Sequence, residues 1–277
     1  MVAVLNNYGG FYNRKVYVSE ARISGANICL PCVNQSAFNS SIQGKDIYLG
    51  FDCLLNFEGK LAHRIIAERE RDGTYQSLQD FVKRTQAGLE QVIILIRIGA
   101  LRFTGVGKKQ LLWEAHLMMS RHKPAVAGMA LFETESRKPI LPPLEEDILE
   151  DYYDEMELIG FCVTGTLFDL AKSDYRGDMP ARELHLHEGN IVRVVGDFVC
   201  EKFVKTKRGD LMKFGTFLDA EGRFFDTVHF PQTLTKYPLL GTGIYLIEGK
   251  VFVEYGCPSI EVIRCGKMPL KSDPRSE

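Results

Sequence analysis

No stretch of this sequence stays apolar for the 18 or more residues from which a membrane-spanning helix is read. The opening residues, MVAVLNNYGG, also lack the basic segment and apolar run of a secretory signal. The expectation is a cytoplasmic protein with no membrane partner. Catalytic signatures are missing too. No GxxxxGK[ST] phosphate loop, HExxH or GxSxG occurs, nor a DxD pair of acids to hold two magnesium ions for nucleotidyl transfer. Seven cysteines are present, but only Cys29-Leu30-Pro31-Cys32 forms a close pair. One pair cannot by itself complete a four-ligand zinc site, and unpatterned thiols suit a reducing compartment. His185 and His187 read as neighbours on one strand face with no third ligand. His63, His116 and His229 have no catalytic neighbours in the sequence. No catalytic residue and no metal-ligand set are therefore read from this chain.

What is present is sharply sorted by charge. The 277 residues, enough for about two domains, carry a formal net charge of −2. Bases gather at Arg97–Lys109 and Lys202–Arg208. Acids gather in EEDILEDYYDEME, Glu145–Glu157, which holds no base. Such asymmetry permits basic faces on a near-neutral protein. The acidic run reads as a helix that buries Ile148, Tyr152, Met156 and Ile159 and turns most of its charge to solvent. Residues 123–144, with Pro124, Pro139, Pro142 and Pro143, read as linker.

Two patterns define the expected fold. From residue 46 to 122 the apolar period is helical. Leu61, Ala62, Ile65 and Ile66 form one stripe before Gly73. Ser77–Asp80 fits a capping box with Leu78, Phe81 and Val82 turned inward, and Leu89, Val92, Ile93 and Ile96 form the next stripe. Then comes IRIGALRFTGVGKKQLL, Ile96–Leu112, in which two helices flank Gly105-Val106-Gly107 and two lysines. A helix starting just after glycine offers close backbone approach, unpaired amides and a positive dipole end, all suited to phosphate. The pattern resembles a helix-hairpin-helix clamp, and an ordinary Gly-rich turn fits the same residues. From residue 181 the period becomes two. Ile191–Cys200, Leu211–Leu218, Phe224–Phe230, Ile244–Phe252 and Pro258–Cys265 are five strand candidates, with room for one helix between the third and fourth. That is the arrangement of an OB-fold barrel. The fold class expected is multidomain α+β, a small all-α helix-hairpin-helix domain followed by a five-stranded OB barrel. The barrel's first hairpin is basic, with Lys202, Lys205, Lys207 and Arg208, and is accompanied by Phe203, Phe214, Phe217, Phe224 and Phe225. A positive groove with aromatic platforms is how OB-folds hold single strands, although strand alternation sends part of that aromatic set into the core.

The order of these parts resembles the C-terminal half of the bacterial DNA polymerase III alpha subunit, the C-family replicative polymerase, and its error-prone relatives. Val4–Tyr12 with ARISGANICLPCVNQS (Ala21–Ser36) is similar to the end of the fingers. IIAER (Ile65–Arg69), YQSLQDFVKR (Tyr75–Arg84) and LEQVIILIRIGAL (Leu89–Leu101) are similar to the tandem helix-hairpin-helix region. Glu157–Phe161 and Val194–Phe217, centred on KTKRG, are similar to the OB entry and first hairpin. The resemblance implies a fingers remnant at 1–45, the helix-hairpin-helix domain at 46–122, a linker with an acidic helix at 123–180 and the OB domain at 181–277. It implies duplex contacts at Gly59, Lys60, Arg64, Arg102, Gly105, Gly107, Lys108 and Lys109, and single-strand contacts at Lys202, Lys205, Lys207 and Arg208. Phe57 stands where the first hairpin's leading glycine belongs, so the second hairpin is the expected grip. Gly128–Phe132 (GMALF) is similar to the pentapeptide that anchors polymerases to the sliding clamp, with Met129, Leu131 and Phe132 as anchors and Gly128 in place of the usual glutamine. The catalytic palm and its magnesium would lie N-terminal to Met1, leaving this chain without a cofactor. The implied partners are double- and single-stranded DNA, the sliding clamp and other replisome subunits. A clamp-binding scaffold with little DNA affinity and an OB-fold RNA binder are the alternatives.

Overall fold

The structure is a computed structural model and describes residues 1–7, 10–120, 144–206 and 209–276. In chain order its main elements are α1 (Val2–Asn6), α2 (Arg14–Ile23), β1 (Asn27–Cys29), β2 (Ser41–Gln43), β3 (Asp46–Tyr48), α3 (Gly59–Asp72), α4 (Leu78–Thr85), α5 (Leu89–Arg97), α6 (Lys108–Ser120) and α7 (Ile148–Leu158). Then follow β4 (Ile191–Lys205), β5 (Leu211–Leu218), β6 (Phe224–His229), α8 (Pro231–Lys236), β7 (Ile244–Glu254) and β8 (Cys257–Lys267). They sort into two compact units. Asn27–Thr164, joined by the C-terminal residues from Asp273, make the helical unit; Ala3–Ala26 and Gly165–Ser272 make the barrel unit. These limits differ from the boundaries at 45, 122 and 180 read from the sequence. Residues 27–45 go with the helices, and residues 165–180 go with the barrel.

In the helical unit a three-stranded sheet, ordered β1-β3-β2, precedes the helices. α3 buries Leu61, Ala62 and Ile65 and stops at Gly73, whose φ of 79° suits glycine best. The Ser77 side chain accepts from the Asp80 amide at 3.1 Å and starts α4, which buries Leu78 and Phe81. α5 buries Val92, Leu95 and Ile96. Arginines stitch the loops to this core. Arg69 donates to the carbonyls of Val33 (2.8 Å) and Ser36 (3.0 Å), and Arg84 lies over the Tyr75 ring at 4.2 Å.

α7 departs from the sequence reading. Ile148 is exposed, and the residues α7 buries are Asp154, Glu155 and Leu158. Its acids do not simply face solvent. Asp154 accepts from Arg97 at 2.7 Å, while Glu155 accepts from the Thr164 amide at 2.9 Å and from its hydroxyl at 2.6 Å. A buried carboxylate is tolerable because a cation or several donors meet it. Those partners lie outside the helix's own sequence, where periodicity cannot find them.

In the barrel unit the strands close in the order β4-β5-β6-β8-β7, with β6 and β8 parallel and the other pairs antiparallel. Val192, Val194, Phe198, Phe217, Phe225, Tyr245, Ile247 and Ile260 fill it. Gly196 makes room for the stacked Phe217 and Phe225 rings, 5.5 Å apart; a Cβ there would come within 2.5 Å of Phe225. The β4–β5 register shifts between Phe198 and Cys200. α2 is fastened to β4 by Lys15, whose Nζ donates to both Asp197 oxygens at 2.9 Å. Burial nonetheless holds the Asp197 carboxyl above its ordinary range. His185 and His187 do not share a strand face. They sit in a 3-10 turn, Ala181–His187, because Ala181 and Leu184 are buried at a spacing of three.

Candidate nucleic-acid interface

The second hairpin forms as its glycines suggest. α5 closes through Gly99 (φ 71°), a 3-10 turn covers Arg102–Thr104, and Gly105 (φ 67°) turns the chain toward α6. Gly107 faces the α6 amino terminus, and the space its missing side chain leaves is filled. A Cβ on Gly107 would collide with Glu146 Oε1, and the same oxygen accepts from the Lys108 amide at 2.8 Å. The cradle thus holds an anion, a carboxylate supplied by this chain. Its lysines are engaged as well. Lys108 Nζ bonds Asp151 and comes within 3.9 Å of Asp154; Lys109 Nζ donates to Glu150 (2.9 Å) and to the Glu145 carbonyl (2.6 Å). The Glu150 hydrogen bond holds the Lys109 ammonium above the usual lysine range. Beside them Arg97 pairs with Glu157 and Asp154, and Arg275 donates to Asp154 too. The bond from Arg97 pulls the Glu157 carboxyl below its usual range.

The other nominated cations of this unit have different surroundings. Arg102 donates to the carbonyls of Leu30 (2.9 Å), Pro31 (3.0 Å) and Gly99 (3.1 Å), and Arg64 donates to the Thr85 carbonyl at 2.7 Å. At the first hairpin Phe57 packs on Phe51, with ring centroids 5.7 Å apart, and Gly59 is the first residue of α3. Lys60 is exposed and has no ion-pair partner among the described residues. Sequence reasoning missed the acids that meet the second hairpin. The signal was there, as an acid run without a base matched to a basic hairpin without an acid.

On the barrel, Lys202 of β4 stands directly opposite Phe214 of β5, and both are exposed. Lys205 is exposed at the end of β4, and Gly209 (φ 88°) shapes the turn that follows. Phe217 and Phe225 belong to the core. Phe203 has the Lys213 ammonium 4.6 Å from its ring centroid, and Phe224 lies against Tyr12 at 5.7 Å. Among the five aromatics, Phe214 is the exposed one that pairs with an exposed cation. Lys207 and Arg208 lie outside the described residues, as do Met129, Leu131 and Phe132. In the C-x-x-C pair Cys32 is buried, and burial pushes the Cys29 thiol up. Among the described residues no three His, Cys, Asp or Glu side chains stand together to hold a metal, and no helix is long and apolar enough to cross a membrane.

A helix-hairpin-helix region followed by a closed five-stranded OB barrel is the class this fold defines. A family model described as helix-hairpin-helix motif matches residues 25–111. The error-prone DNA polymerase of Mycobacterium tuberculosis is 26% identical over 276 residues, covering 96% of this chain and 24% of that protein. DNA polymerase III subunit alpha of Borreliella burgdorferi is 26% identical over 254 residues, covering 85% of this chain and 22% of its own length. The same subunit of Thermus aquaticus is 30% identical over 164 residues, 54% of this chain and 13% of that protein. A solved second OB-fold domain of replication protein A from Methanococcus maripaludis aligns with 31% of this chain and 90% of its own, at 14% identity and a TM-score of 0.23. The chain spans about a quarter of the length of the first curated relatives it matches. Over most of its length it is similar to the C-terminal region of bacterial DNA polymerase III alpha subunits and their error-prone relatives.

Proposed function

We propose that this chain is a DNA-binding module of a DNA polymerase III alpha-like protein, working in replication or translesion synthesis. The second hairpin holds the template–primer backbone through Gly105, Gly107, Lys108 and Lys109, and the barrel meets single-stranded template through Lys202 and Lys205, with Lys207 and Arg208 beyond them. The observation that carries this reading is the Glu146 carboxylate on the Lys108 amide. There the α6 amino terminus takes a carboxylate oxygen at 2.8 Å, which supports reading it as a site for a phosphate oxygen. Contacts of this kind position a protein on nucleic acid without reading sequence. The exposed Lys202–Phe214 pair supplies the cation and the stacking platform that a single strand uses.

Fluorescence anisotropy with labelled primed DNA tests it. Binding should be independent of sequence and fall with salt. Lys108→Ala/Lys109→Ala should weaken duplex binding, and Lys202→Ala/Phe214→Ala should weaken single-strand binding. Absence of binding at low ionic strength would overturn the reading. The clamp contact through Met129, Leu131 and Phe132 rests on sequence and is tested separately. Leu131→Ala/Phe132→Ala should abolish capture of the sliding clamp in a pull-down.

A further inference from the structure

We infer that the acidic segment Glu145–Asp151 is a built-in competitor of the DNA backbone: its carboxylates occupy the second hairpin's phosphate cradle, and duplex enters only by displacing them. The inference rests on the reading of that hairpin as the duplex contact.

Three observations converge on it. First, the occupation reaches both kinds of donor, backbone amide and ammonium. Glu146 takes the helix-terminal amide, Asp151 takes the Lys108 ammonium, and Glu150 with the Glu145 carbonyl takes the Lys109 ammonium. The Lys108 amide and both lysine ammoniums, three groups that a phosphate would use, each have an oxygen on them already. Second, the cradle fits the intruder. Glu146 Oε1 stands in the space left by the missing Gly107 side chain, where a backbone phosphate oxygen would also have to come. Third, the segment is anchored in the core at one end and partly open to water at the other. At the fixed end Asp154 is buried, with a side chain only 7% exposed, and is held by Arg97 and Arg275, while Glu155 binds the Thr164 amide and hydroxyl. The end over the cradle is only partly open to water, with the Glu150 side chain 22% exposed. The Asp151 side chain is 43% exposed, and Lys108 and Lys109 are 26% and 34% exposed. A partly exposed pair of this sort shifts an equilibrium by roughly fivefold. Duplex DNA, which releases condensed counterions when its phosphates are neutralised, can exceed that. The acids over the cradle can therefore leave without undocking α7, whose buried anchor is elsewhere. The result is a graded brake: it rejects weak or isolated anions and yields to a polyanion that offers several phosphates at once.

The test compares duplex affinities of the full chain by anisotropy. Glu146→Gln/Glu150→Gln removes two carboxylates from the cradle. Glu70→Gln/Glu90→Gln removes the same charge from exposed positions of the same unit, away from the cradle contacts. The cradle variant should bind primed duplex about 5- to 30-fold tighter than the parent, against less than about twofold for the charge-matched control. Adding Lys108→Ala/Lys109→Ala should erase that gain. A DNA-free reading accompanies it, since Trp113, the sole tryptophan, lies one helical turn after Lys109 and is half exposed. Its emission should shift in the cradle variant and not in the control. Tightening no greater than the control's, or a gain that survives Lys108→Ala/Lys109→Ala, overturns the inference. If the lysine variant weakens duplex binding in the parent while the cradle variant gains nothing, the inference alone fails. If the lysine variant changes nothing in either background, the duplex reading fails and takes the inference with it.

Discussion

His229 illustrates how one buried group can set a pH response. Its ring is fully buried, and Nε2 lies 2.9 Å from the Thr227 hydroxyl, which itself donates to the Gly215 carbonyl at 3.0 Å. The hydroxyl can therefore only accept from the ring, so Nε2 carries the proton. Nδ1 has no hydrogen-bond partner among the described residues. Burial, helped by the Lys213 charge, lowers the imidazole to about 4 from an ordinary 6.5. The unfolded chain then takes up a proton as pH falls below about 6.5, and the folded barrel does so only near 4. Stability from this group is present above pH 6.5 and is lost between those limits, by about 3 kcal/mol at most. Urea titrations at pH 7 and pH 4.5 should show that loss, and His229→Gln should flatten it. Arg102 makes the complementary point for a residue nominated as a DNA contact. Its three carbonyl bonds tie the 30–31 segment to the hairpin. Arg102→Ala should lower stability by about 1–3 kcal/mol, as a loss of charged hydrogen bonds does. A thermal melt checks this.

At the level of elements, much of the fold was legible. The five strands, the helix between the third and fourth and the hairpin helices follow from periods of 2 and 3.6 that each segment carries within itself. Three things were not legible. The Ala181–His187 turn has too few residues to separate a period of three from a period of two. The inward side of α7 depends on Arg97, Arg275 and the amide of Thr164, all remote in sequence. The state of the second hairpin depends on Glu146, nearly 40 residues downstream. Its glycines, readable locally, predict a cradle; only tertiary structure says what lies in it. Packing gives a test at this scale as well. Gly196→Ala would push a methyl into the Phe217–Phe225 stack and should cost about 1–3 kcal/mol, measured as a shift of the barrel's denaturation midpoint.

For the molecule as a whole, a net charge of −2 conceals two opposed distributions. Much of the basic character of the helical unit's hairpin is met internally, whereas Lys202 and Lys205 on the barrel are exposed with no ion-pair partner among the described residues. The two kinds of nucleic acid should therefore respond differently to salt. Neutralising a phosphate on a single strand changes the log–log salt slope by about 0.7. Lys202→Ala/Lys205→Ala should then flatten the single-strand slope by roughly 1.4 and leave the duplex slope nearly unchanged. Anisotropy between 50 and 200 mM salt, roughly the range over which such slopes are resolved, measures both.

The register shift in β4 decides which residues share a face of the strand. Before it, Val192, Val194 and Phe198 point inward at even positions; after it, Glu201 and Phe203 fall opposite Gly215 and Lys213, on the side of the core residue Phe217. One additional residue thus acts as a phase change in the alternation, and Cys200, Lys202 and Val204 emerge on the outer face. Were the ladder to run on without the shift, Val199 would face Thr216 and Lys202 would fall opposite Lys213, on the inward side. The barrel's outward charge is, in this sense, set by counting along the chain.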